Sequence, residues 1–275
     1  MRYILLLIGF LIILNSCKTS YVHLFKTEST ISKDKDDFYV FENDSVKLIY
    51  AFWEDKGVVN FSIYNKLDVP LYVDWRKSSY IDNSVKLNYW EDEQTRVTTG
   101  VYSNYVYRGP FMRLGSSFGG GVSYANTSIV KPERITFIPP NSAYYRSQFY
   151  ILPEKTFRIK TETRKEIVSR NDKPKKNTTI YSKNFTQQTT PLIFRNFLTL
   201  STTESFDEEF YIDNEFYISE IKEMDKRHFS YYKRNKSGLS VKDEQGNFIV
   251  NYPFKTMSSF YKEIPRSWSI EKRKK

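Results

Sequence analysis

The chain has 275 residues and a formal net charge of +10, with 22 Tyr, 21 Phe and 4 Trp against one Cys, two His, ten Gly and ten Pro. One cysteine excludes an internal disulfide framework and any multi-thiolate zinc or iron–sulfur site, and two histidines leave little for a histidine-rich metal centre. The low Gly and Pro content excludes a collagen-like or low-complexity chain, and 40% hydrophobic residues give enough material for a packed core.

The first element is a leader. Met1-Arg2 is a minimal positive region, and Tyr3 to Leu14 (YILLLIGFLIIL) is an uncharged apolar run. Twelve residues fall short of the ~20 that a spanning helix needs and fit the apolar region of a signal peptide. The run ends in Leu14-Asn15-Ser16-Cys17, which resembles the bacterial lipobox. The resemblance implies cleavage after residue 16, acylation of Cys17 and attachment to a lipid bilayer. Several acyl chains on one cysteine make such an anchor effectively permanent, at ~0.8 kcal/mol per buried methylene. Lys18 stands where an Asp would retain many such proteins in the inner membrane, so the expected location is the outer membrane. No acidic run follows the cysteine, which favours the periplasmic face, with surface exposure as the alternative. Removing residues 1–16 takes away only Arg2, leaving 41 basic against 32 acidic residues. On an exported protein this positive balance points away from nucleic acid and is better matched to an anionic envelope surface or acidic polysaccharide, with a Lys-rich solvated face as the more ordinary reading.

Residues 17–37 read as a lipidated tether with one strand, Tyr21–Lys26, ending in Lys33-Asp34-Lys35-Asp36-Asp37. That cluster fails as a calcium loop, because Phe38 and Val40 stand where a glycine and an oxygen ligand are needed. It reads as a solvated linker. From residue 38 to 275 the pattern is that of strands. Val46, Leu48, Tyr50 and Phe52 share one face of a period-two run, and Glu54-Asp55-Lys56-Gly57 is a hairpin turn with Gly where a positive φ is needed. Val59, Phe61 and Ile63 resume the alternation. Pro70–Trp75, Ser79–Ile81 and Val85–Trp90 follow as short strands. Residues 94–132 hold six of the ten glycines and read as a mobile loop. No Gly-Lys-Ser/Thr follows Gly119-Gly120-Gly121, so a phosphate cradle is not indicated. Tyr102, Tyr105, Tyr107, Phe111 and Phe118 give that loop side chains to present, and they are the candidate ligand contacts.

Arg134–Ile138 returns as a strand stopped by Pro139-Pro140. Tyr144–Leu152 follows, and then a long hairpin pairs 157–164 with Thr179–Thr186 and carries Lys173, Lys175 and Lys176 at its tip. Leu192–Leu200 and Phe210–Ile221 read as strands. In the second, Tyr217, Ile221 and Met224 would also share a helical face, and the density of Phe, Tyr and Ile decides for strand. The expected fold is all-β, an antiparallel immunoglobulin-like β-sandwich with additional long β-hairpins.

Tyr50–Gly57 (YAFWEDKG), Phe61–Asn65 (FSIYN), Leu71–Ile81 (LYVDWRKSSYI), Ile138–Ser142 (IPPNS) and Asn214–Ile221 (NEFYISEI) resemble, in order and spacing, a family of uncharacterised Bacteroidota lipoproteins. The resemblance implies an exported all-β lipoprotein and carries over no catalytic residue. The residues themselves make a poor enzyme. His228 is flanked by Lys226 and Arg227, whose field lowers its basicity. Asp74, Asp207, Glu208 and Glu209 could form a glycoside hydrolase pair only by tertiary placement. No cofactor and no metal site is expected. The expected function is a non-catalytic scaffold or protein-interaction module. The alternative is a glycan-binding protein using exposed faces of Trp53, Trp75, Trp90 or Trp268.

Overall fold

The computed structural model describes residues 20–91, 133–152, 157, 159 and 163–270. The chain divides into two compact units, Met1–Tyr89 with Ile135–Lys275, and Trp90–Arg134. The second unit lies almost entirely outside the described residues, as do the Gly-rich loop and Cys17.

The first unit is all-β with antiparallel sheets. The smaller sheet is built from β2 (Ser32–Lys33), β3 (Tyr39–Glu42), β4 (Val46–Ala51), β5 (Val58–Asn65) and β10 (Ala143–Tyr150), in the order β10-β5-β4-β3-β2. In the larger sheet the path runs from β11 (Arg164–Ser169) through β12 (Asn177–Asn184), β14 (Glu209–Asp225) and β13 (Ile193–Ser201) to β6 (Leu71–Asp74) and β9 (Ile135–Ile138). Also in it are β1 (Tyr21–Ser29), β7 (Ser79–Asp82), β8 (Val85–Asn88) and β17 (Ser259–Ile264). A short helix, α1 (Lys226–Phe229), and a small hairpin of β15 (Tyr231–Tyr232) and β16 (Val250–Asn251) stand between β14 and β17.

β14 organises the larger sheet. The second half of this 17-residue strand pairs along one edge with β1, from Tyr21 opposite Asp225 to Ser29 opposite Phe216. Along the other edge β13 takes its first half and β12 its second. The residues that would also fit a helical face, Tyr217, Ile221 and Met224, are therefore all in strand.

The core lies between the two sheets. Tyr39, Tyr50 and Phe52 of the small sheet meet Phe194 and Phe216 of the large one, with ring centroids 5.0–5.3 Å apart, largely edge to face. All five rings are at most 1% exposed. Burial of each contributes about 1.5–3 kcal/mol before packing is counted. Among them sits one polar cluster: the Tyr50 hydroxyl accepts the side-chain N–H groups of Asn196 (3.1 Å) and Asn214 (2.8 Å), and the Tyr89 hydroxyl donates to the Asn196 carbonyl oxygen (2.7 Å). The turn at 54–57 requires its glycine. Gly57 has φ +67°, and a Cβ there would lie 2.8 Å from the Phe260 ring.

Two sequence expectations need correction. The segment 17–37 is not a tether from residue 21 onward. β1 runs past the expected Lys26 to Ser29 and lies between β14 and β17, and Tyr21 to Phe25 are all buried. An inner strand covered on both faces loses the alternation by which strands are recognised. The charge cluster after it is a tight turn between β2 and β3, closed by the Asp34 carboxylate accepting the N–H groups of Asp36 (2.9 Å) and Phe38 (3.0 Å). The outer strand of the long hairpin begins at Arg164, whereas half of the expected strand 157–164 falls outside the described residues.

Candidate functional site

A cleft among the described residues lies at the end of the large sheet where β14 finishes. Tyr21 lies there between Asp225 and Ile264, and the Ser20 carbonyl accepts the Lys226 N–H at 3.1 Å. Asp225 turns the strand into α1: its carboxylate accepts the Arg227 N–H (2.8 Å) and grips the Arg227 guanidinium through both oxygens (3.0 and 2.8 Å). The guanidinium and the bonded N–H hold the Asp225 carboxyl below the usual carboxylate range, although burial opposes them as the largest single influence. Lys226 pairs with Glu263 of β17 at 2.5 Å, and Arg170 with Asp172 at 2.5 Å.

These elements frame a cleft of about 640 Å³. Its inner wall is aromatic. Phe229 lies 4.8 Å from Tyr261, 5.7 Å from Tyr252 and 5.9 Å from Trp53, nearly parallel to the last at 25°. Burial pushes the Tyr261 phenol well above its usual range. The rim carries Lys226, Arg227, Lys233 and Arg234 against Asp172 and Glu263. Among the described residues that line the cleft the one aliphatic hydroxyl is Ser230, and no histidine accompanies it. Flat aromatic faces beside cations suit the binding of an anionic or ring-bearing ligand.

His228 is on α1 but turns away from the lining. Its Nδ1 accepts the Asn171 N–H at 3.2 Å, and its carbonyl accepts the Asn171 side-chain amide at 2.8 Å. Burial lowers its pKa below the ordinary histidine value. The second histidine, His23, is buried with Glu223 directly across from it on β14, Nε2 to Oε2 2.9 Å. The other oxygen of Glu223 accepts the Ile270 N–H at 2.6 Å, so this pair ties the end of the described chain to the sheet.

Cys17 and the candidate contacts Tyr102, Tyr105, Tyr107, Phe111 and Phe118 lie outside the described residues. Trp53 backs the cleft and Trp75 is fully buried, its indole N–H donating to Thr136 at 2.8 Å. Asp74 is buried and accepts the Arg76 N–H at 2.9 Å, and Glu209 is bound to Lys77. The cleft was missed from sequence although its signal is there: Lys226 to Arg234 (KRHFSYYKR) has five cationic or histidine positions interleaved with three aromatics. No described helix is long and apolar enough to cross a membrane. No family model, no curated protein and no solved structure matches the chain.

Proposed function

We infer that this chain is a lipid-anchored protein of the cell envelope, held in the outer membrane through acylated Cys17 and facing the periplasm. Its β domain acts as a non-catalytic scaffold or protein-interaction module. The observation that carries this reading is the lone cysteine at the end of the apolar run, in Leu14-Asn15-Ser16-Cys17. The resemblance to Bacteroidota lipoproteins and the immunoglobulin-like form of the two-sheet packing belong to the same proposal. The use made of the buried titratable groups also supports it. His23 joins Glu223, Asp225 caps α1, Asp74 closes a turn and His228 holds Asn171. Each serves the fold.

Replacing Cys17 with Ala tests the anchor. The variant is released from membranes or accumulates unprocessed, and full retention of a processed Ala variant in the membrane fraction defeats the reading. Protease shaving of intact and lysed cells reports the face.

A glycan-binding role is the second reading, favoured by the row of tyrosines along the cleft. Tyr232 is 54% exposed and lines it. Binding on a glycan array that Tyr232→Ala abolishes supports this role, and silence towards every polysaccharide, acidic ones included, removes it.

A further inference from the structure

The two ends of β14 differ in charge. At its far end, the turn between β13 and β14 carries Glu204, Asp207, Glu208 and Glu209, with Arg76 and Lys77 nearby and Lys77 bound to Glu209. Seventeen residues of strand place this turn about 50 Å from Asp225. At the near end three acids are consumed locally: Asp172 by Arg170, Asp225 by Arg227 and Glu263 by Lys226. Asp243 accepts the N–H groups of Gln245 and Asn247 in its own turn.

Cations left over gather at the same end. In the register of β12 on β14, Tyr181 stands opposite Glu223, so the turn before Asn177 projects past Asp225 and carries Lys173, Lys175 and Lys176, all exposed. The arm from 230 to 251 adds Lys233, Arg234, Lys236 and Lys242 against Asp243 and Glu244. No carboxylate among the described residues pairs with Lys233, Lys236 or Lys242. The arm also exposes apolar groups: Tyr232 54%, Leu239 67% and Phe248 50%, with the Lys242 ammonium 4.8 Å from the Phe248 ring. Exposed rings interleaved with lysines are the composition of a surface that sits at the headgroup level of a bilayer.

The chain enters at this end too. Ser20 is hydrogen-bonded to Lys226, and Cys17 is three residues earlier, a reach of at most about 11 Å. We propose that this end of the domain, the arm 230–251 together with the 173–176 turn, is a docking face for the anionic phospholipid surface in which the chain is anchored. The domain then stands with β14 pointing away from the bilayer and its acidic turn outermost. The proposal rests on the anchor at Cys17. It adds an orientation that the anchor alone does not impose.

The test uses the full processed chain in vesicles of zwitterionic phospholipid with and without an anionic phospholipid. A polarity-sensitive fluorophore is placed on Phe248→Cys in one variant and on Glu204→Cys in another. Labelling of the unsubstituted chain reports a free Cys17 thiol, so failure of the anchor reading shows separately. In the expected result, lipid-borne nitroxide quenches the probe at 248 and leaves the probe at 204 untouched, and the effect needs anionic lipid. Raising salt from 0.1 to 1 M shortens the screening length from about 10 to about 3 Å and releases the face. Each basic residue near such a surface is worth about a fivefold gain in partitioning, so reversing Lys173, Lys175 and Lys176 to Glu weakens docking more than about a hundredfold. Equal, aqueous behaviour of the two probes on anchored protein overturns the proposal. So does protection of the probe at 248 by a soluble acidic polysaccharide but not by anionic vesicles, which assigns the face to glycan.

Discussion

The aromatic residues between the two sheets and those on the arm 230–251 are the same residue types in opposite circumstances. Phe216 is 1% exposed and meets Tyr39, Tyr50, Phe52 and Phe194. Phe248 is half exposed and meets Tyr232 at 5.3 Å, with Lys242 beside it. Period-two alternation puts the core rings on one face of strands that a second sheet then covers. Among the described residues no second layer covers the exposed rings of the arm. The two residue pairs of β15 and β16, with the bridges Arg234 to Ser240 and Lys242 to Phe248, hold a loop whose apolar groups face solvent. An aromatic excess in composition therefore carries two meanings, and only the covering layer separates them.

The largest break in that contrast comes from the core. Phe216→Ala removes a ring shared by both sheets and is expected to cost about 3–5 kcal/mol, read as a fall in the urea midpoint. A loss below about 1 kcal/mol would mean that the two sheets do not share one core. Tyr50→Phe keeps the ring and removes the hydroxyl, leaving the amides of Asn196 and Asn214 without their acceptor. It is expected to cost about 1–3 kcal/mol, the range for stranded buried donors. A neutral result would show that the amides find other partners.

Where alternation and turn chemistry coincide, the elements were legible. The hairpin of β4 and β5 follows from Val46-x-Leu48-x-Tyr50 and from Gly57, whose positive φ the turn demands. The strand choice for 210–221 was right in kind but too short, since Ser219 to Asp225 carries a charge at nearly every second position and owes its strand state to β1 and β12 on either edge. β1 was half seen. Its partners lie some two hundred residues away and cover both edges, and no local pattern reports that. β17 went unseen. Its six residues sit between Pro253 and Pro265, a bounded aromatic stretch that could have marked it, but its burial shows no alternation. The run Lys226–Arg234 alone does not mark the cleft, because the cleft is assembled from α1, the β15–β16 hairpin and β17, and because its cations look like any solvated run until the ends of β1 and β14 are placed together.

A smaller effect is expected from His228, at the boundary between the core and the arm. Burial holds its pKa below the ordinary 6.5, with Asp172 and Asp225 pulling it up and Arg170 adding to the depression. Between those two values the unfolded chain binds the proton and the folded chain does not. The stability tied to neutral His228 is thus complete above the ordinary value and is lost as pH falls through it towards the lowered one. Urea midpoints at about pH 7.5 and about pH 5.5 should fall more steeply for the wild type than for His228→Gln. Parallel slopes would show that the imidazole accepts its proton without disturbing Asn171.

The smallest effect is the most informative for the contrast. Phe248→Ala deletes a ring as large as that of Phe216, yet half of that ring is already in water and its neighbours, Tyr232 and Lys242, are exposed as well. The stability change should stay within about 0.5 kcal/mol, the range of surface substitutions away from packed features. A urea midpoint that falls as far as it does for Phe216→Ala would mean that the arm folds as part of the core and that its exposed rings serve stability. An unchanged midpoint leaves those rings without a structural role large enough to retain them. Their exposure beside lysines, at the end of the sheet where the chain enters, is then free to serve the membrane contact proposed above.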